Sequence, residues 1–75
     1  MEHDQELDAR GLLCPLPILK TRFALEALAP GQVLRVLSTD AGSVPDMQAF
    51  ARQTGVELLA TSESEGEYRF LIRKP

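Results

Sequence analysis

The chain has a single cysteine, Cys14, and a single histidine, His3, among its 75 residues, and it has no tryptophan. One cysteine cannot close a disulfide within the chain, and one cysteine with one histidine cannot supply the sulfur and imidazole ligands of a zinc-type cluster. We therefore expect no metal, and no motif calls for a cofactor. A lone histidine near the N-terminus also argues against a catalytic arrangement of the Ser-His-Asp kind.

A basic surplus and long apolar runs are also missing. Eight basic residues are outnumbered by eleven acidic ones, which gives a net charge of −3. Direct binding to a phosphate backbone usually needs a basic surplus, so we expect no nucleic acid ligand. No apolar run approaches the roughly 20 residues of a membrane span. The first residues are acidic where a secretory signal is basic and then apolar. A free thiol in a chain that is not exported predicts a cytoplasmic location.

The length limits the number of domains. A chain of 75 residues has room for one modest core, because chains of this size bury only about 60% of their unfolded surface. We expect a single domain over residues 1–75, and a monomer.

The cysteine lies in the stretch Gly-Leu-Leu-Cys-Pro-Leu-Pro over residues 11–17. Proline fits the first turn of a helix, where backbone N–H groups have no partner, so Pro15 is predicted as the first helical residue and Cys14 as the N-cap. The positive end of a helix favours an anion, which predicts a lowered pKa for the Cys14 thiol. The lowering should be moderate, because Pro15 and Pro17 remove two of the first three donors and leave only the Leu16 N–H.

A lone cysteine in a small domain can also be an inert, buried residue. Here the flanking residues favour a functional interpretation, because Gly11, Pro15 and Pro17 describe a tight turn that leads into a helix and presents Cys14 at the surface. Arg10 is the nearest cation in the sequence and is a candidate to hold a sulfur anion. The alternative is a solvated arginine without a fixed partner.

Residues 15–29 have the apolar spacing of a helix, and Pro30-Gly31 is a strong stop signal after them. The apolar side chains form two stripes, Ile18, Thr21, Leu25 and Leu28 on one and Leu16, Leu19, Phe23 and Ala27 on the other. One stripe must face the sheet. The other is either an exposed docking strip beside the cysteine or a second buried face, and the pattern leaves both open. For a partner-binding surface the candidates are Arg10, Leu16, Leu19 and Phe23.

The remaining segments predict four strands and a second helix. The strands are an edge strand at residues 3–8, a central strand at 32–38, and a hairpin of 56–62 and 67–73 joined by 63–66. Residues 43–54 predict the helix, with a capping box from Ser43 to Asp46 and a stop at Gly55. The fold class is therefore α+β, a two-layer α/β sandwich in the order βαβαββ, with a mixed four-stranded sheet and both helices on one face.

The chain resembles the TusA-like sulfur carrier proteins, and the resemblance lies first in Leu-Asp-Ala-Arg-Gly-Leu-Leu-Cys-Pro-Leu-Pro at residues 7–17. The Cys-Pro-x-Pro element with Gly-Leu before it is specific to that family. Further matches at the family's spacings are Pro30-Gly31-Gln32, the loop from Asp40 to Ser43 with Asp46 after it, and the ending from Tyr68 to Lys74.

The resemblance implies that Cys14 carries sulfane sulfur as a persulfide. The donor would be a cysteine desulfurase or a rhodanese-like protein, and the sulfur would pass to an acceptor protein, so that the chain works as a sulfurtransferase-type shuttle with partner enzymes. Members of the family serve tRNA thiolation, molybdenum-cofactor assembly or sulfur oxidation. This chain departs from the tRNA-relay type at Leu16, where those members carry glutamate, and at Thr39-Asp40-Ala41, where an acidic pair followed by proline is common.

Three hypotheses follow from the sequence. The first is a cytoplasmic sulfur carrier with a persulfide on Cys14, for which one cysteine suffices because a second would discharge the persulfide as a disulfide. The second is a non-catalytic interaction or regulatory module that keeps the fold and docks through Leu16, Leu19 and Phe23. The third is a redox-sensing thiol that peroxide converts to sulfenic acid.

Overall fold

The computed structural model describes residues 3–75, and its elements follow the predicted order βαβαββ. The elements are β1 (Gln5–Ala9), α1 (Leu16–Glu26), β2 (Val33–Ser38), α2 (Ser43–Thr54), β3 (Glu57–Ser64) and β4 (Glu67–Arg73). The fold class is the one that the sequence predicts, since two helices pack with a four-stranded mixed sheet.

The strands lie in the order β1-β2-β4-β3. β1 is parallel to β2, and β4 is antiparallel to both of its neighbours, β2 and β3. The prediction of an edge strand near the N-terminus and a central strand after α1 is therefore confirmed. Because β2 and β3 point the same way with β4 between them, α2 connects two parallel strands that do not touch.

One face of the sheet and the two helices form the core. In the register of β2 with β4, Val36 pairs with Phe70 and Leu34 pairs with Ile72, and all four side chains are buried. The helical layer contributes the buried residues Leu25 in α1, Leu28 just after α1, and Met47 and Phe50 in α2. The alternation of a β-strand sends Arg35, Arg69 and Leu71 to the other face, where they are only half-buried.

α1 is shorter than predicted at both ends. The carbonyl of Pro15 accepts the N–H of Leu19 (3.2 Å), so Pro15 is the N-cap and Cys14 lies one residue before it. The prediction of Cys14 as N-cap and Pro15 as first helical residue is therefore wrong. At the other end the Leu28 N–H turns back to Leu25 (3.1 Å), and the Ala29 N–H donates to the side chain of Gln32 (2.8 Å) instead of to a helical carbonyl. These bonds tighten the last turn, and the helix ends at Glu26.

The predicted capping box of α2 does not form. Gly42 is the N-cap, and the Ser43 hydroxyl donates to the carbonyl of Asp40 (2.6 Å) instead of capping the helix. The carboxylate of Asp46 points away from the cap to Cys14. At the other end the prediction is confirmed, because Gly55 takes the left-handed conformation (φ 81°) and its N–H bonds the carbonyl of Ala51.

β3 and β4 form the predicted hairpin, with a shorter loop than expected. The strands run on to Ser64 and resume at Glu67, so the loop is Glu65-Gly66 and not residues 63–66. Both loop residues have positive φ (52° and 77°), the backbone of a turn that matches the twist of the strands. An irregularity in the pairing between Leu58 and Ala60 lets β3 change register against β4.

Candidate functional site

The site lies where two loops meet at one edge of the sheet. Because β1 and β2 are parallel, the loop after β1 and the loop after β2 leave from the same edge. The Gly11 N–H donates to the Thr39 hydroxyl (2.8 Å), and the Cys14 N–H donates to Asp40 Oδ2 (2.8 Å). The cysteine loop is thus fixed to the loop before α2 by two hydrogen bonds.

Glycine and proline give the cysteine loop its course. Gly11 adopts a left-handed backbone (φ 81°), which a residue with a side chain rarely takes. Pro15 caps α1 and is exposed, whereas Pro17 is buried and its carbonyl accepts the hydroxyl of Thr21 (2.7 Å). The turn therefore lifts Cys14 to the surface while the residues after it anchor the helix.

Cys14 is exposed and its thiol donates a hydrogen bond to Asp46 Oδ2. This bond holds the proton on the sulfur and raises the pKa of Cys14, with partial desolvation and the negative charges of Asp46 and Asp40 acting in the same direction. The sequence predicted a lowered pKa, so that prediction is wrong in sign. Exposure nevertheless excludes the inert, buried alternative for this cysteine.

The start of α1 offers the sulfur nothing to offset these carboxylates. With Pro15 as the N-cap, α1 begins with Leu16, Pro17 and Ile18, and the Leu16 N–H bonds the carbonyl of Leu13 (2.9 Å). Pro15 and Pro17 have no N–H to give. The side chains that shift the pKa of the thiol are the carboxylates of Asp46 and Asp40, and both raise it.

Arg10 bonds carboxylates. Its guanidinium pairs with Asp8 (2.9 and 2.8 Å) and reaches Glu67 (3.3 Å), and the bond from Arg10 lowers the pKa of Asp8 to about 2. Arg10 is therefore paired with Asp8 and Glu67 and does not stabilise a sulfur anion at Cys14.

Three other cations, Arg69, Arg73 and Lys74, also have partners away from the thiol. Arg69 pairs with Glu67 (3.0 Å) and Arg73 with Glu57 (2.6 Å). Lys74 donates to the carbonyl of Leu28 (2.7 Å). No cluster of these cations forms around Cys14 within residues 3–75.

The second stripe of α1 is a surface strip next to the cysteine. Leu16 and Leu19 are each 44% exposed and Phe23 is 68% exposed. The first stripe is the buried one, with Thr21, Leu25 and Leu28 in the interior. A helix buried on both sides is thus excluded. Leu13 extends the exposed strip and was not among the predicted residues, although it is 72% exposed. We call Leu13, Leu16, Leu19 and Phe23 the apolar strip.

A shallow groove of about 220 Å³ runs between α1 and α2 and begins at the thiol. Cys14 and Asp46 line its mouth, and Arg22 and Phe50 line it further along. The guanidinium of Arg22 sits 5.5 Å from the centre of the Phe50 ring, close enough for a cation–π contact. The groove is open to solvent and leaves room for a reagent or a partner segment to reach the sulfur.

Two further features bear on the class of site. Within the part of the chain that the structure describes, His, Cys, Asp and Glu side chains form no group of three or more that could hold a metal ion. Over the same residues, no helix has the length and apolar character needed to cross a membrane.

Sequence reasoning did not place Asp40 and Asp46 in the site, because it assigned one to a turn and the other to a helix cap. A signal was present all the same. Once β1 and β2 are taken as a parallel pair, the segments that follow them must emerge side by side, so acidic residues after β2 are neighbours of a cysteine after β1.

Comparison with known proteins gives consistent matches over nearly the whole chain. The model of a family described as sulfurtransferase TusA matches residues 5–74. The sulfur carrier protein TusA of Allochromatium vinosum is 56% identical over 73 residues, which cover 97% of this chain and 96% of that protein. The sulfur carrier protein TusA of Pseudomonas entomophila is 42% identical over 72 residues, covering 96% and 90%.

A solved structure matches as well. The crystal structure of the SirA-like protein from Desulfitobacterium hafniense has a TM-score of 0.82 and 28% identity to this chain, covering 93% of this chain and 96% of that one.

Proposed function

This chain belongs to the sulfurtransferase TusA family, and from that membership we propose that it is a sulfur carrier that holds sulfane sulfur as a persulfide on Cys14. The observation that supports the role of Cys14 most directly is its placement, since the only cysteine of the chain is exposed at the head of α1. Gly11, Pro15 and Pro17 support it by shaping the loop. Residues 1–75 form the carrier domain in this proposal.

Loading is an exchange of sulfur between two thiols. The Cys14 sulfur gives up its proton and attacks the outer sulfur of a donor persulfide, R–S–SH. A new S–S bond forms at Cys14 as the donor's S–S bond breaks, and the bonding pair leaves on the inner sulfur of the donor, which takes up a proton. The products are R–SH and the Cys14 persulfide, so the exchange needs no oxidant.

Delivery repeats the exchange with the roles reversed, since an acceptor thiolate attacks the outer sulfur of the Cys14 persulfide and Cys14 returns as a thiol. The proposed donor is a cysteine desulfurase or a rhodanese-like protein, and the acceptor is a protein of tRNA thiolation, molybdenum-cofactor assembly or sulfur oxidation. In this proposal the carrier is a cytoplasmic monomer that binds proteins and not nucleic acid.

The test is a change in mass. The purified chain is incubated with a cysteine desulfurase and free cysteine, in parallel with a rhodanese-type donor, and weighed intact. We expect a gain equal to one sulfur atom that is lost on reduction and absent in Cys14→Ser. A gain that persists in Cys14→Ser would overturn the role of Cys14. No gain from either donor, with the thiol still reactive, would overturn sulfur carriage.

The apolar strip favours a second candidate function, a docking module without sulfur chemistry. The double variant Leu16→Ser/Phe23→Ser separates the two, because both side chains are exposed and their loss should spare the fold. Under the carrier proposal, protein-to-protein transfer weakens while loading from a small persulfide is unchanged. A chain that binds its partner through the strip but accepts no sulfur from either source is a docking module.

A further inference from the structure

Within residues 3–75, Asp46 is the one residue whose side chain bonds the sulfur of Cys14, and this contact has no part in the exchange described above. Its carboxylate accepts the Cys14 thiol and has no other hydrogen bond within residues 3–75. Asp46 does not cap α2 either, because no side chain bonds the free N–H groups at the start of that helix. Asp40 differs, because it bonds the N–H groups of Cys14 and Gly42 and thereby shapes the loop.

The charges around the thiol are unbalanced. Asp46 from α2 and Asp40 from the loop before it face the sulfur, and α1 contributes one cation to the groove, Arg22, which is engaged with the ring of Phe50. Throughout the described range, no lysine, arginine or histidine forms an ion pair with Asp40 or Asp46. Negative charge at the mouth of the groove is therefore left for an incoming molecule to offset.

We propose that Asp46 is a specificity-determining residue, which keeps the empty Cys14 as an unreactive thiol and selects sulfur donors that bring a positive charge to the groove mouth. The proposal rests on the proposed function, because it concerns the choice of partner in the same exchange. A carboxylate bonded to the thiol opposes thiolate formation next to it, and a cation placed beside that carboxylate removes the opposition. A donor with a lysine or arginine next to its persulfide meets this condition, whereas an anionic donor adds to the repulsion.

The selectivity can be measured by thiol–disulfide exchange, without any sulfur-transfer partner. Three small disulfides of similar size differ in charge: cystamine is cationic, hydroxyethyl disulfide is neutral and dithiodipropionate is anionic. In each reaction the Cys14 thiolate attacks one sulfur, a mixed disulfide forms at Cys14, and the released thiolate takes the proton that Cys14 lost. The rate of mixed-disulfide formation is followed by intact mass.

In the unaltered chain we expect cystamine to react fastest and dithiodipropionate slowest. In Asp46→Asn the ratio of these two rates should fall by about tenfold, the effect of a nearby unit charge worth about one pKa unit. Over the same pH range, Asp46→Asn should react faster with the neutral disulfide, because its thiolate forms at lower pH. Asp46→Glu, which keeps the charge, should retain the preference for cystamine.

Glu26→Gln is the matched control. It removes one negative charge from the far end of α1, and the side chain of Glu26 is exposed. It should leave the ratio of the two rates unchanged. The preference of the unaltered chain should also shrink as salt is added, since the charges at the mouth are open to solvent. This last measurement needs no variant, so it holds even if Asp46→Asn does not fold.

Equal rates for the three disulfides in the unaltered chain would overturn the proposal. So would a ratio of the cystamine and dithiodipropionate rates that is unchanged in folded Asp46→Asn, or one that Glu26→Gln lowers to the same degree. These outcomes are independent of sulfur carriage, which the mass gain with a desulfurase tests separately. The mass-gain test can therefore fail while the charge selectivity is observed, or the reverse.

Discussion

At the scale of single residues, two effects of opposite sign compete for the proton of Cys14. A helix that begins just after a cysteine favours the thiolate, but only through free N–H groups aimed at the sulfur. Here Pro15 and Pro17 have no N–H, and the N–H of Leu16 donates to the carbonyl of Leu13 and not to the sulfur. A carboxylate in direct contact with the thiol then prevails. The same contact disfavours the redox-sensor hypothesis, because peroxide attacks the thiolate.

The raised pKa of Cys14 predicts how the native thiol responds to pH. At pH 7 it should react with iodoacetamide more slowly than the same cysteine in urea, whose pKa is about 8.5. Above about pH 8.5, where the rate of the unfolded chain is levelling off, the native rate should still be rising. The raised pKa also makes the free energy of unfolding depend on pH. The thiol–carboxylate bond stabilises the fold below about pH 8.5 and is lost as the pH rises through the native pKa. A native rate that levels off below pH 8 would contradict this prediction.

At the scale of elements, the turn between β3 and β4 has a backbone conformation that one of its residues, Glu65, does not favour. Glu65 has φ 52° and Gly66 has φ 77°. Glycine takes such values without strain, and asparagine does so far more readily than glutamate. The hairpin is therefore held in this turn by the pairing of its strands and not by its own turn residues.

Replacing Glu65 by asparagine should make the protein more stable. We expect the free energy of unfolding to rise by about 0.5 kcal/mol, because the left-handed backbone costs asparagine less than glutamate. Urea unfolding measures the change. The matched control is Glu63→Asn, which removes the same charge two residues earlier, within β3, and should give no gain. Equal gains in both variants would show that charge, and not the turn, is responsible.

At the scale of the whole molecule, stability rests on a thin core. A chain of 75 residues has roughly 4 to 11 kcal/mol of stability to lose. Phe70 is fully buried on β4 between the two neighbouring strands. The next residue, Leu71, points to the opposite face and is only half-buried. Adjacent positions on one strand thus differ sharply in how much they contribute to the stability of the fold.

Truncation of Phe70 should come close to unfolding the chain. Phe70→Ala is expected to cost about 3 to 5 kcal/mol, the usual cost of removing a buried phenylalanine. Leu71→Ala, its control, should cost less because part of that side chain already faces water. Thermal unfolding followed by circular dichroism compares the two. If Leu71→Ala proved the more damaging, the assignment of the two sheet faces would be wrong.

The order of elements and the stop at Gly55 could be predicted from the sequence, because periodicity and glycine report on local geometry. The same periodicity gave two apolar stripes on α1 but did not decide whether the second stripe is exposed or buried. The chemistry around Cys14 could not. Ser43 and Asp46 have the spacing of a capping box, and the same carboxylate that would cap a helix can instead bond a thiol more than thirty residues earlier in the chain. Whether Asp46 caps the helix or bonds the thiol depends on how the Cys14 loop packs against the start of α2, which local sequence does not report.

The place of β4 within the sheet has a consequence for synthesis on the ribosome. β4 follows the other three strands of this sheet in the chain, yet it lies between β2 and β3 and supplies the partner for both. Until residues 67–73 leave the exit tunnel, β3 has no neighbour and the apolar side of β2 lacks Phe70 and Ile72. The nascent chain can therefore form helices early but cannot close its sheet until residues 67–73 have emerged.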